Sequence, residues 1–459
     1  MSPRRRDTEQ AAPEKPGWRE YQHNLKWAAA KKRLINKAIK LSTLVIVVLV
    51  SAYEIFGGLG GKSFSHLLGD YFSSSHDTTK EARLNNAKLI DKSNVRDLLK
   101  NISFVNLKNK SFDFFSNGRK FRIDTSLDIE LQEFLIKKLD LETSRYIGIV
   151  CMDPATGKVL SMVGFDKTDP SNNPCVESKF PAASIFKIVT ASAVVEKCGF
   201  QPGSKLSYNG RKHTLYKSQL KDRRNRYTNR ITFRDSFAQS VNPVFGKIGA
   251  HYLGKNTLEK YAEAFDFNKN IDFEIEIAPS FVDLSDEPYQ WAEVACGFNN
   301  KTKISPLHGA MMAAAIINQG SIMEPTVVDQ IIDEKGEIIY RNRLVTINQA
   351  ISPKASDILN QLMAATICSG TCKKAFRGYR KDNILSKLNI GGKTGSIDNK
   401  SHDARYDWFV GFAEEKDGPK KIAISVIVAH EKYIGLRASY YARIAMKKYF
   451  LNYFEKTAT

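Results

Sequence analysis

The sequence predicts an α+β fold, an antiparallel β-sheet flanked by helices with an all-helical subdomain. Three observations carry this. β-Rich runs occur early, at 146–152 and 159–164, and again late, at 390–395, 406–412 and 422–429. The stretch between them, from 188 to about 320, reads mainly as helix, with loops at 201–213 and 266–290. Early and late strands around a helical middle fit one sheet packed by helices.

The first 120 residues are of another kind. Residues 1–40 are polar and basic, with Arg4, Arg5, Arg6, Lys31, Lys32 and Arg33 among them, and read as a cytoplasmic tail. Residues 41–53 carry no charge, and the apolar stretch continues past Glu54 to Gly61. That approaches the ~20 residues a spanning helix needs. The long basic flank and the lack of a small-x-small cleavage site favour an uncleaved transmembrane anchor over a signal peptide. Basic residues ahead of the span keep the N-terminus cytoplasmic and place 62–459 outside a single-pass cell membrane (inner or cytoplasmic). Residues 62–120 read as a membrane-proximal stalk, with helix possible over 82–99, and 121–459 as one catalytic domain.

The chain has 459 residues and a formal net charge of +20. Such a charge asks for an anionic partner. The sequence holds no zinc-type Cys/His cluster, no phosphate-cradling Gly loop and no RNA-binding aromatic signature. A membrane surface or an acidic polymer is therefore expected rather than nucleic acid, and neither a metal nor a cofactor is expected. Of the six cysteines, Cys151, Cys198 and Cys296 sit in apolar surroundings and read as small core residues. Cys368 and Cys372 could pair in an oxidising compartment.

Within 121–459 a helix is expected over 129–141, then a hairpin turning at Asp153–Lys158 by its Pro and Gly. Residues 304–319 form a small-residue helix in which His308 reads as a packed core histidine. An amphipathic helix over 434–454 closes the chain.

The chemistry centres on 179–187, Lys-Phe-Pro-Ala-Ala-Ser-Ile-Phe-Lys. A Pro, small residues and then an apolar run mark a helix start. Ser184 and Lys187, three apart, then share a face one turn apart. The hydroxyl lies near unpaired N–H groups at the positive helix end, and the amine is placed to take its proton. The spacing alone is weak, because Ser218 and Lys221 repeat it in a charged loop. Ser-x-Asn occurs three times, at 171/173, 207/209 and 240/242, and only Ser240/Asn242 stands in a helical context. Lys-Thr-Gly occurs once, at Lys393-Thr394-Gly395 on an expected strand.

The order Ser-x-x-Lys, Ser-x-Asn, Lys-Thr-Gly is the signature of serine β-lactamases and penicillin-binding proteins. The chain resembles the penicillin-binding transpeptidase domain over about 121–455, closest to the monofunctional class B type but with a short stalk. Thr125–Gln132 resembles the segment leading into that domain, Met152–Leu160 its first hairpin, Ser305-Pro306-Leu307 and Asn318-Gln319-Gly320 the helix after the second motif, and Trp408–Gly411 the strand after Lys-Thr-Gly. Ile185 and Ser396 stand where the family often has Thr. The segment before 121 leaves no room for a glycosyltransferase.

The resemblance implies a β-lactamase/transpeptidase-like fold and a D-Ala-D-Ala transpeptidase that cross-links peptidoglycan stem peptides through a Ser184 acyl-enzyme and is acylated by β-lactams. It gives Lys187 the role of general base, held neutral by burial and by Lys393, and Ser240 that of a proton relay. Asn242 binds the substrate backbone. Lys393 and Thr394 hold its terminal carboxylate, Gly395 lets it lie on the strand edge, and the N–H groups of Ser184 and Ser396 form the oxyanion hole. A membrane-embedded glycan polymerase is an expected partner. The alternatives are a DD-carboxypeptidase, a serine β-lactamase, and a non-catalytic β-lactam sensor or scaffold. The second lacks a placed carboxylate of the class A type, and Asn242 stands where the oxacillinase type usually has Val.

Overall fold

The structure, a computed structural model, describes residues 89–399 and 401–458. The expected tail, the anchor at 41–61 and residues 62–88 lie outside the described residues. Among those described, no helix is long and apolar enough to cross a membrane.

The described chain opens with a short helix, Lys92–Leu98, and a hairpin of β1 (Ser111–Ser116) and β2 (Arg119–Thr125). The helix Ile129–Ile136 follows, started by the Asp128 side chain, which accepts from Leu131 N. The second hairpin is β3 (Ser144–Met152) and β4 (Val159–Asp166). The helical region then holds α1 (Lys187–Cys198), α2 (Phe233–Ala238), α3 (Asn242–Lys247), α4 (Pro288–Cys296) and α5 (Pro306–Ile317). Next come β5 (Val328–Asp333), β6 (Ile338–Arg341), α6 (Pro353–Cys368), β7 (Leu388–Asp398), β8 (Arg405–Glu415), β9 (Lys421–His430) and α7 (Ala438–Ala458).

The main sheet has the antiparallel order β7-β8-β9-β3-β4, so the early hairpin and the late strands close one sheet across most of the chain. Helix α5 is buried along its whole length. Its small residues permit this: a Cβ on Gly309 would stand 2.5 Å from Ser425 Oγ of β9. His308 is indeed a core residue, its ring 4.8 Å from that of Phe267, and burial pushes its pKa down to about 4. Helix α7 also packs on the sheet, burying Tyr441, Ala442, Ala445, Met446, Tyr449 and Phe450 at helical spacing.

Several expectations change. The terminal helix starts at Ala438 rather than 434, where the Asp407 carboxylate accepts from Ala438 N at 3.0 Å. The helical middle contains a small two-stranded sheet, Lys205–Tyr208 with Asn229–Thr232. A second sheet, β1-β2-β5-β6, joins residues 111–125 to 328–341, strands the sequence reading did not place. Strand β2 alternates buried Phe121, Ile123 and Thr125 with polar neighbours and sets Ile123 opposite Ile331. The boundary expected at 120/121 falls inside β2. Cys151 and Cys296 are buried, but Cys198 is exposed. Cys368 is exposed, Cys372 is buried, and both are free thiols.

Candidate active site

Ser184 stands in a 3-10 turn, Ala183–Phe186, that runs directly into α1 at Lys187. The turn is strained: Ala183 has φ +47°, a region that costs a residue with a Cβ. Its surroundings hold it there. Phe180–Pro181 pairs with Lys303–Ile304, and Ala182 N donates to Thr302 O at 2.9 Å. The buried Trp408 of β8 donates from Nε1 to Pro181 O at 2.8 Å. Behind the turn, Gly297 has φ +69°, and a Cβ there would lie 1.8 Å from Ala183 O. Only glycine lets the end of α4 approach so closely.

That approach delivers the Cys296 carbonyl to Lys187. Lys187 is fully buried, and its Nζ lies 2.8 Å from Ser184 Oγ, 2.8 Å from Asn242 Oδ1 and 2.5 Å from Cys296 O. Burial lowers its pKa to about 8. A neutral amine has two N–H donors and one lone pair. The Cys296 carbonyl and the Asn242 Oδ1 can only accept, so they take both donors and leave the lone pair facing the Ser184 hydroxyl. The amide orientation is assigned from its partners: Asn242 Nδ2 donates to His213 O at 3.1 Å, which turns Oδ1 towards Lys187.

Ser240 and Asn242 do not lie on one helix. The chain breaks between α2 and α3, and Ser240 takes φ +55°. Pro243 at the start of α3 accounts for the restart, since it lacks the N–H a continuous helix would need. The break turns Ser240 Oγ to Lys393 Nζ, which donates to it at 2.9 Å and to Thr394 O at 2.8 Å. Lys393 is fully buried and lies 5.6 Å from the centre of the Phe237 ring. Burial first, and then the Lys187 charge, push its pKa well below the lysine range. Desolvation is the first cause that lowers Lys187, and repulsion between the two buried amines disfavours their being charged together.

Lys393, Thr394, Gly395 and Ser396 lie on β7, the edge strand, with β8 on one side only. A Cβ on Gly395 would stand 3.2 Å from Ser184 N and 3.2 Å from Ala183 Cβ, so the strand edge and the nucleophile turn nearly touch. Contacts thus link Ser184 with Lys187 and Asn242, and Ser240 with Lys393 and Thr394, and bring Gly395 against the Ser184 turn, while the Ser396 side chain is exposed and bonded to Asp407. Four features were not read from the sequence. The Cys296 carbonyl is main chain and leaves no signature. Gly297 could have been marked only as a glycine ending an apolar helix. Thr371 Oγ1 lies 2.5 Å from Thr394 Oγ1, while Thr371 N donates to Ala238 O at 3.0 Å. Asp407 carries no motif; it accepts from Ser396 Oγ at 3.0 Å and from Ala438 N at 3.0 Å and so ties β7 to the start of α7. Among the described residues no carboxylate bonds to Ser184, Lys187, Ser240, Asn242 or Lys393.

Comparison with known proteins bears on the family and the fold. Residues 147–449 match the family model of the penicillin binding protein transpeptidase domain. The peptidoglycan D,D-transpeptidase PbpA of Mycolicibacterium smegmatis is 24% identical over 325 residues, 61% of this chain and 61% of the relative. The chain thus spans about 61% of the length of that relative. Among solved structures, the D,D-transpeptidase domain of a peptidoglycan glycosyltransferase from Eggerthella lenta superposes with a TM-score of 0.59 at 21% identity, covering 72% of this chain and 83% of that one. The penicillin G acyl-enzyme complex of penicillin-binding protein A from M. tuberculosis gives 0.56 at 20% identity, covering 72% and 80%. The chain belongs to the penicillin-binding protein transpeptidase domain family.

Proposed function

We propose that the protein is a serine D,D-transpeptidase that cross-links peptidoglycan stem peptides, and that β-lactams acylate the same serine. The observation that carries this is the Lys187 amine, buried, 2.8 Å from Ser184 Oγ and with both its N–H donors engaged elsewhere. Ser184 Oγ attacks the carbonyl between two terminal D-alanines while its proton passes to the Lys187 lone pair. The N–H groups of Ser184 and Ser396 receive the developing oxyanion, each such donor contributing about 2.7–4 kcal/mol. The C–N bond then breaks as Ser240, hydrogen-bonded by Lys393, gives its proton to the departing D-alanine nitrogen and takes up the one Lys187 holds, which returns Lys187 to its neutral form. An acceptor amine next attacks the acyl-enzyme and gives a proton to Lys187. The peptide bond forms and Ser184 Oγ recovers its hydrogen.

Lys393, Thr394 and the Asn242 amide hold the donor peptide along the β7 edge, an extended segment beside an open strand. The apolar stretch 41–61 supports a membrane anchor with the domain outside, and a membrane glycan polymerase supplies the strands. The test is mass spectrometry of a D-Ala-D-Ala donor peptide incubated with the enzyme and a D-amino acid acceptor. An exchanged peptide that requires Ser184 is expected. Hydrolysis alone would make the enzyme a carboxypeptidase, and turnover that survives Ser184→Ala would remove the nucleophile assignment.

A further inference from the structure

Segment 209–230 packs as a wall against Asn242. Lys212 O accepts from Asn242 N at 2.7 Å, His213 O accepts from the Asn242 amide, and Lys212 Nζ donates to Gln239 Oε1. The segment holds eight Lys and Arg against one Asp. That one, Asp222, is engaged by Lys247 at 2.8 Å. Arg211, Lys217, Arg223, Arg224 and Arg230 are exposed, and none has a carboxylate ion-pair partner among the described residues. Net positive charge thus lies beside Asn242.

A cavity of about 460 Å³ opens in this wall, lined by Asn209, Arg211, Tyr216, Gln219, Arg223 and Asn225. It is a fixed structure rather than a gap in a loose loop. Gln219 is buried, accepts from Tyr216 N at 3.0 Å and donates to Asn209 O at 2.8 Å. Asn209 in turn donates to Arg223 O at 2.8 Å, and Gly210, at φ +78°, makes the close turn over Gln219. Arg211 and Arg223, and no acid, are among the residues that line the cavity, a composition that suits a carboxylate. Its size suits a short side chain better than a long polymer.

The geometry points to this cavity and the cations around it as a subsite for a free carboxylate on the peptide substrate, at a position away from the scissile bond. The inference rests on the peptide-transfer reading above. The surrounding charge would also raise the capture rate of an acidic peptide in a salt-dependent way.

Two donor peptides, identical except that one carries a side-chain carboxylate and the other the carboxamide, separate the possibilities. Their binding is measured by fluorescence anisotropy on the full chain carrying Ser184→Ala. At low salt the acid should bind about tenfold more tightly than the amide. Adding salt, or adding Arg211→Gln or Arg223→Gln, should bring the ratio towards one. A ratio of one before those changes, or one that neither arginine alters, overturns the subsite. If the ratio is one while long-chain polyphosphate binds and the arginine variants release it, the wall serves an anionic polymer instead. Turnover by the chain with Ser184 intact is a separate readout. Its absence removes the transfer reading, while the acid-to-amide binding ratio still decides the subsite.

Discussion

The chain contains the same four-residue spacing twice, and the two places differ in everything that makes chemistry. Ser184 and Lys187 lie on a continuous run of 3-10 and α-helix, with the lysine buried and its amine 2.8 Å from the hydroxyl. Ser218 and Lys221 are exposed, and the helix carrying Ser218 ends at Leu220. Lys221 already has an extended backbone, with ψ at 137°, so the two side chains do not share a helical face. The difference lies in what surrounds each pair. The first has a desolvating core around its lysine and two obligate acceptors for its N–H groups. The second has water.

The largest expected effect is at the nucleophile. Ser184→Ala should abolish covalent labelling by a fluorescent penicillin, a loss of at least ~10³-fold in acylation rate. Equal labelling of that variant would end the distinction between the two pairs. Lys187→Met removes the proton acceptor and should slow acylation by about 10²–10⁴-fold in stopped-flow measurements. Gly297→Ala touches no substrate but would push on Ala183 O and shift the turn. We expect about 10²-fold slower acylation together with a lowered melting temperature. Unchanged kinetics would mean that the turn does not depend on that close approach.

The pH profile is a smaller effect with a definite sign. Lys187 must be neutral to accept a proton, and burial lowers its pKa to about 8. It is mostly charged below that value and mostly neutral above it. The acylation rate should therefore rise about tenfold between about pH 7 and about pH 9. A flat profile would mean that the base is not this lysine. The smallest effect is expected at the second pair: Ser218→Ala should label with penicillin as the unaltered chain does, because its hydroxyl has no neighbouring base.

The two pairs also mark how much could be read in advance. Ser-x-x-Lys, Ser-x-Asn and Lys-Thr-Gly are local, so the sequence could name Ser184, Lys187, Ser240, Asn242, Lys393, Thr394, Gly395 and Ser396. The long strands of the main sheet were visible as apolar or aromatic runs separated by polar turns. Strands β5 and β6 were not, since they are short and flanked by charge; β5 becomes a strand by pairing with β2 about two hundred residues earlier, and β6 by pairing with β5. The break at Ser240 hid within a helical pattern. Thr371 and Asp407 carry no motif, and their roles arise only because α6 and α7 end against β7 and β8.

The sequence by itself determined the order of the chemical groups, the helical and strand periods that carry them, and the charge of the segment beside them. Those are properties of neighbours along the chain. Tertiary structure alone decided which Ser-x-x-Lys pair has a buried lysine, which carbonyl meets Lys187, and that Lys187 and Lys393 are both desolvated. Each depends on desolvation and on approaches of a few ångströms between segments more than fifty residues apart, as between Lys187 and Cys296. No local pattern encodes such distances.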